Sequence, residues 1–317
     1  MKLDKNLNLI LGEYKKECRE GFGDALVEIG SNQKVVALTA DLSPSVKMDD
    51  FKSKYPKRFF DVGVAEQNLV TVASGLAHVG KIPFVSAFGA FCPGRCWEQI
   101  RTAISYNNEN VNIVASHCGI SVGPDGATHQ ILEDIAMMRT IPNMVVISPC
   151  DYEQAKKATK AMLNQKTPCY MRYGRGKVAQ LTTPKTPFEI GKAQLFQHGS
   201  DVCIITTGAT IYDALVASEQ VKYSVRIINL HTIKPIDEQI IIQAAKECGK
   251  IITVEDHQVA GGMGSAVAEI VSEKYPCTVV RLGVQNSFGE SGSSEELFSK
   301  FGIDTKSIAS EIEKICK

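Results

Sequence analysis

The stretch DVGVAEQNLVTVASGLAHVGKIPFVSAFGAF, Asp61–Phe91, decides how this chain folds. A short β-rich piece leads to Glu66, which opens an amphipathic segment, Ala65–His78, with Leu69, Val72, Ala73 and Leu76 at helical spacing. The apolar run Pro83–Ala87 after it reads as a buried strand. Strand, helix, strand in about 30 residues is the unit of a parallel α/β sheet.

The same alternation extends in both directions. Val35–Thr39, Val111–Ala115, Val145–Ile147 and Tyr170–Met171 read as further central strands. Trp97, Ile100, Arg101 and Ile104 keep helical spacing, although Arg101 interrupts the apolar stripe. Around Val178–Phe188 the period stops, and VAQLTTPKTPF carries two prolines. This segment reads as a linker over 181–188, which separates a first domain, 1–180, from a smaller second one, 189–317. In the second domain Val202–Thr206, Val225–Asn229, Ile251–Val254 and Thr278–Leu282 read as strands, and Tyr212–Gln220, Asp237–Cys248 and Met263–Lys274 as helices. The expected fold class is α/β: two domains, each a mostly parallel sheet flanked by helices.

Composition narrows the function. The chain has 317 residues, 44% of them hydrophobic and 22% charged, with 35 basic residues against 35 acidic ones. A net charge of zero gives no general attraction to nucleic acid or to an anionic membrane. No apolar run reaches the roughly 18 residues of a membrane span, and the amino terminus lacks a signal-peptide pattern. Ten cysteines are scattered along the chain without a metal-site spacing. Reduced thiols in a cytoplasmic protein are the simple reading.

Four segments place polar or aromatic residues at strand ends, where parallel sheets bind ligands. Glu66 stands in a first helical turn, a position that the helix dipole alone would favour. Phe88 and Phe91 flank Gly89 and Ala90, so two rings beside thin backbone can clamp a flat heterocycle; Phe84, deeper in the strand, is core. The loop SHCGISVGPDGATHQ, Ser116–Gln130, carries His117, Asp125 and His129 among three glycines. Arg172 ends a strand and, with His117, offers charge for a phosphate; a solvated arginine beside Arg175 and Lys177 is the plain alternative. GGMGSA, Gly261–Ala266, precedes a helix but reads as a tight strand-to-helix turn rather than a nucleotide site.

The order of ADLSPS, RFFDVGVAEQN, AFGAF, GPDGATHQ and IPNMVVISP resembles that of transketolases and deoxyxylulose-phosphate synthases. The likeness runs from about Arg19 to TVEDHQVAGGMGSAVAE and FGESGSSEEL. It is greatest to the second subunit of split transketolases, with a pyrimidine-binding domain followed by a C-terminal domain. The resemblance implies a transferase that moves a two-carbon ketol unit between sugar phosphates on thiamine diphosphate. It implies that Glu66 hydrogen-bonds a ring nitrogen of the aminopyrimidine, and that Phe88 and Phe91 pack that ring. Some relatives carry a third aromatic where Gly94 stands. By the same resemblance Asp41 lies near the cofactor across a dimer interface and His129 contacts the donor ketose near its carbonyl. His117, Arg19, Ser45 and Arg172 then hold a sugar phosphate, and Asp125 reads a hydroxyl. The family anchors the diphosphate through a divalent metal on a Gly-Asp-Gly motif, which this sequence lacks; GPDG, Gly123–Gly126, belongs to the sugar loop. An N-terminal partner subunit is therefore expected to hold the Mg2+ or Ca2+, with two copies of this chain in a heterotetramer. Three alternatives share parts of the pattern: a deoxyxylulose-phosphate synthase, a 2-oxo acid dehydrogenase beta subunit, which lacks the GPDGATHQ type of loop, and an inactive regulatory paralogue.

Overall fold

The computed structural model describes residues 2–12 and 14–317. In the first half of the chain the strands are β1 (Tyr14–Glu17), β2 (Val35–Thr39), β3 (Phe59–Asp61), β4 (Ile82–Phe88), β5 (Asn112–Ser116), β6 (Val145–Ile147), β7 (Cys169–Arg172) and β8 (Lys177–Ala179). They are followed by β9 (Gln194–Gln197), β10 (Val202–Thr206), β11 (Val225–Asn229), β12 (Thr232–Lys234), β13 (Lys250–Gln258) and β14 (Thr278–Val284). The helices are α1 (Cys18–Ile29), α2 (Asp49–Lys54), α3 (Glu66–His78), α4 (Trp97–Gln99), α5 (Asp134–Thr140), α6 (Tyr152–Met162), α7 (Ile211–Glu219), α8 (Glu238–Cys248), α9 (Met263–Lys274), α10 (Ser294–Lys300) and α11 (Thr305–Cys316).

Among the described residues the larger sheet runs β12-β6-β7-β5-β4-β2-β3, parallel throughout except for β12. Its strands are buried because helices cover both faces. On one side Phe22, Leu26 and Ile29 of α1 and Ala155, Ala158 and Met162 of α6 pack on Val35, Ala37 and Phe84. On the other, Leu69, Val70 and Ala73 of α3 pack on Val36, Leu38 and Val85. This alternation along β2 follows the two-residue period of a strand. In α3 the inward stripe includes Val70 rather than the expected Val72, which is left partly exposed. Helix α1 starts with a capping box in which Glu17 and Glu20 reciprocally accept backbone N–H groups. The Trp97–Ile104 helix is built as α4 flanked by π-turns over Ala90–Arg95 and Ile100–Ser105.

The second sheet runs β14-β13-β10-β11-β9 and is parallel apart from β9. The expected α/β class with two mostly parallel sheets is therefore what the chain adopts. The domains are sewn together, however. Strand β12 leaves the second series to pair with β6 of the first sheet, and the amino-terminal Asp4 N–H donates to Phe196 of β9 at 2.9 Å. The proline-bearing linker is tied down as well. Asp151 accepts the N–H groups of Leu181 at 2.9 Å and Thr182 at 2.5 Å. Lys157 donates to the carbonyls of Thr183 and Thr186.

No helix among the described residues is long and apolar enough to cross a membrane. The ten cysteines are free thiols, eight of them buried.

Candidate active site

In the larger sheet the strand order turns back between β2 and β4, and side chains gather beyond the carboxyl ends of these strands, where such a sheet opens a crevice. Asp41 follows β2 with φ of +60°, and its N–H donates to Asp61 Oδ1 at 2.8 Å. Asp61 also accepts the Gly63 N–H at 3.1 Å, so one carboxylate ties the loops after β2 and β3 together. Those loops deliver Glu66 to the first turn of α3, where it is 2% exposed. Its Oε2 accepts from Arg95 Nη1 at 2.6 Å.

Strand β4 ends in Phe88, and the π-turn after it carries Phe91. The two rings are stacked, with centroids 5.9 Å apart. His117 lies flat on the other ring neighbour, Phe88, at 3.8 Å, and His129 meets Phe91 edge-on at 5.4 Å. Arg95 Cζ is 4.8 Å from the Phe91 ring centroid. Glu66, Arg95, Phe91, Phe88, His117 and His129 thus form one continuous surface from four separate segments. Three of the glycine-loop residues share this neighbourhood. His117 has φ of +59° and pairs through Nδ1 with Ser116 Oγ at 2.8 Å. Half-buried His129 pairs with Thr128 Oγ1 at 2.9 Å. Exposed Asp125 meets Arg175 Nη1 at 3.4 Å. Arg19 donates to the Ser45 carbonyl at 2.9 Å and makes a two-pronged contact with Glu17 at 2.7 and 2.9 Å.

Two expectations are corrected by this geometry. His117 does not supply charge: burial, with the positive neighbours Arg19, Arg175 and His129, lowers its pKa to about 3. Arg172 does not face the crevice. It is 4% exposed, its Nε donates to buried Asp134 at 2.6 Å, and its Nη2 donates to the Asp256 carbonyl at 3.1 Å. The guanidinium is consumed by an ion pair with the fully buried Asp134 carboxylate, and the buried charges need one another. Arg175, three residues on, is the cation that reaches the rim. Arg95 and Arg175 were not singled out in the sequence; the four-residue spacing of Phe91 and Arg95, which suits a ring–guanidinium contact on one helical turn, was the available signal for the former.

The glycine loop is held from the second domain. Asp256, at the end of β13, accepts the N–H groups of Ile120 at 2.7 Å and Ser121 at 3.3 Å. Gly119 lies directly over that carboxylate with φ of +80°, and a Cβ there would come within 2.1 Å of Asp256 Oδ2. Ser294 Oγ donates to the Ser121 carbonyl at 2.8 Å, and Gln130 Nε2 donates to the Glu290 carbonyl at 2.9 Å. The glycine-rich turn before α9 turns its N–H groups to a carboxylate of this chain. Its Met263 and Gly264 N–H groups donate to buried Glu255 at 2.7 and 2.9 Å.

The family profile described as "Transketolase, pyrimidine binding domain" matches residues 15–180, and "Transketolase, C-terminal domain" matches residues 191–308. The chain is 44% identical over 308 residues to "Putative transketolase C-terminal section" of Methanocaldococcus jannaschii, covering 95% of this chain and 96% of that protein. It is 36% identical to human transketolase, covering 93% of this chain and 48% of the longer protein. The solved structure "Split gene transketolase, inactive beta4 tetramer" superposes with a TM-score of 0.89 at 41% identity, over 95% of this chain and 98% of that one. Matched along its whole length by a split-gene structure, and to half of a single-chain enzyme, the chain belongs to the transketolase family as a C-terminal subunit of the split type.

Proposed function

We propose that this subunit, joined to an N-terminal transketolase subunit, transfers a two-carbon ketol unit from a ketose phosphate to an aldose phosphate with thiamine diphosphate as cofactor. The observation that carries the reading is Glu66, buried at the start of α3 beside the stacked rings of Phe88 and Phe91. An acid and a pair of flat apolar faces fit the aminopyrimidine end of the cofactor. Nothing equivalent fits the other end: the described residues hold no group of three His, Cys, Asp or Glu able to ligate a metal, and the sequence has no Gly-Asp-Gly. We therefore assign the diphosphate and its Mg2+ or Ca2+ to the partner subunit, with two copies of each chain in a heterotetramer.

When bound, thiamine diphosphate supplies the electron sink for breaking the carbon–carbon bond. This chain orients it and moves protons. Glu66 shares a proton with the ring nitrogen, which sets the tautomer of the aminopyrimidine. Phe88 and Phe91 hold the ring plane, and Asp41 approaches the cofactor from across the dimer interface. His129, on the edge of Phe91, stands toward the donor carbonyl. Neutral His117 offers a hydrogen bond rather than a charge. Arg19 and Arg175 form the cationic rim for the phosphate, with the neutral Ser45 hydroxyl beside them, and Asp125 reads a sugar hydroxyl. Exposed Val64 just before α3, Val72 on its outward face and Val79 just after it form the surface we assign to a second subunit. Cytoplasmic residence belongs to the same reading, since ten free thiols suit a reducing compartment.

The test is reconstitution. The chain with its partner should bind thiamine diphosphate in a metal-dependent way and transfer the ketol unit, whereas the chain alone should do neither. In the same complex Glu66→Gln should reduce transfer by orders of magnitude while changing stability by no more than the roughly 0.3–1 kcal/mol of a helix-dipole contact. Wild-type transfer by Glu66→Gln would remove the glutamate from the reaction.

A further inference from the structure

Glu66 and Arg95 are unequal partners. The Glu66 side chain is 2% exposed and that of Arg95 49%. The 2.6 Å contact from Arg95 Nη1 is the one hydrogen bond of the Glu66 carboxylate among the described residues. Arg95 comes from the π-turn Ala90–Arg95, in which Cys92 leaves helical geometry at φ of −140° and ψ of 107°. That turn folds the side chain back over Phe91 and toward the first turn of α3. Gly94 contributes no side chain between them.

We propose that Arg95 is a movable positioning residue: its guanidinium closes over the Glu66 carboxylate and has to swing outward, along the Phe91 ring, before an aminopyrimidine can use that carboxylate. The inference rests on the thiamine reading of the site. The guanidinium occupies Glu66 Oε2 as the acceptor of a charge-assisted hydrogen bond. A hydrogen bond from Glu66 to an unprotonated ring nitrogen needs the carboxyl protonated. The two contacts therefore compete for one buried group. Opening is open to Arg95 because half of its side chain already faces water, and its guanidinium already lies over the Phe91 ring, 4.8 Å from the centroid, along which it can slide outward. It is closed to Glu66, which has no route to solvent without a partner. Cofactor binding then carries the cost of displacing the arginine, and the apparent affinity is the intrinsic one multiplied by the open fraction.

The test uses the full complex with its N-terminal partner and thiamine diphosphate at fixed Mg2+, with affinity read by calorimetry. Arg95→Met keeps an unbranched apolar stem on Phe91 and removes the donor. If the closed form predominates nine to one, it tightens thiamine diphosphate binding about tenfold. Arg95→Lys, which restores a point charge, falls between the variant and the wild type. Arg95→Gln, shorter and neutral, tightens binding in the same direction and serves if Arg95→Met does not fold. Unchanged or weaker binding by a neutral variant with the wild-type melting midpoint overturns the competition and makes Arg95 a bystander or a cofactor contact. Failure of the wild-type complex to bind thiamine diphosphate is a different result: it overturns the cofactor reading, and the role of Arg95 with it.

Discussion

His117 shows how one side chain can be in the right place and have the wrong charge. It stacks on Phe88 at 3.8 Å, which puts it on the surface that Glu66 and the two phenylalanines share. Burial is the largest cause of its depressed pKa, about 3, and the nearby Arg19, Arg175 and His129 push the same way. In this site the imidazole is neutral at any physiological pH. Its ring-proton resonances in the native complex are expected to stay flat between about pH 5 and 8, whereas an ordinary histidine titrates near 6.5. Movement of those resonances in that window would contradict the burial. The linkage sign follows from the depressed folded pKa. Between about pH 3 and 6.5 the unfolded chain binds the proton and the folded one does not. Its contribution to stability is thus fully present above about 6.5 and is lost as pH falls toward 3. The rim cations are Arg19 and Arg175, and nothing in CYMRYGRG distinguishes Arg175 from Arg172 as a residue type. The partner Asp134, 38 positions away, makes the distinction.

At the scale of elements, Asp151 does the work of a cap and of a clasp. It stands at the N-cap of α6, where its side chain accepts the Gln154 N–H at 2.8 Å. The same carboxylate takes the Leu181 and Thr182 N–H groups, the Thr182 hydroxyl at 2.8 Å and Gln180 Nε2 at 3.0 Å. A segment that reads as an aperiodic linker is thereby fastened to the first domain. Asp151→Ala removes the cap and leaves buried donors unpaired, so we expect a loss of about 3 kcal/mol. Denaturant midpoints compare it with Asp151→Asn, which retains an acceptor and should lose less. Equal losses would mean that the clasp is not what Asp151 provides. The helix over Trp97–Ile104 is a different lesson. Its apolar spacing is legible, but the π-turns on both sides are not, and the first of them carries Phe91 and Arg95.

At the scale of the whole molecule, the C-terminal domain holds the glycine loop, Ser116–Gln130. Asp256 accepts two of the loop's N–H groups, Gly119 is the residue that lets the backbone approach it, and Ser294 and Gln130 add hydrogen bonds between the loop and the second domain. His117 begins this loop and His129 ends it. Asp256→Ala leaves the buried Ile120 donor and the half-buried Ser121 donor unpaired. It should raise KM for the donor ketose roughly tenfold, the effect of losing on the order of 1.4 kcal/mol of positioning. The affinity of the reconstituted complex for thiamine diphosphate should stay within about twofold, because Glu66, Phe88 and Phe91 come from elements that Asp256 does not touch. Parallel losses of donor and cofactor binding would point to general destabilisation instead.

The amino-acid sequence by itself determined the α/β class, the central strands of both sheets, the aromatic pair after β4 and the histidine-bearing glycine loop. These features are local: they rest on the two- and 3.6-residue periods and on residue types within a dozen positions of one another. The tertiary structure alone decided that β12 crosses into the first sheet, that Arg172 neutralises Asp134, that Arg95 covers Glu66, and that Asp256 holds a loop 135 positions earlier in the chain. Each of these joins charged or backbone groups far apart in sequence. Such partners are chosen by burial, since a desolvated carboxylate or guanidinium must meet its counterpart wherever the fold brings one within reach.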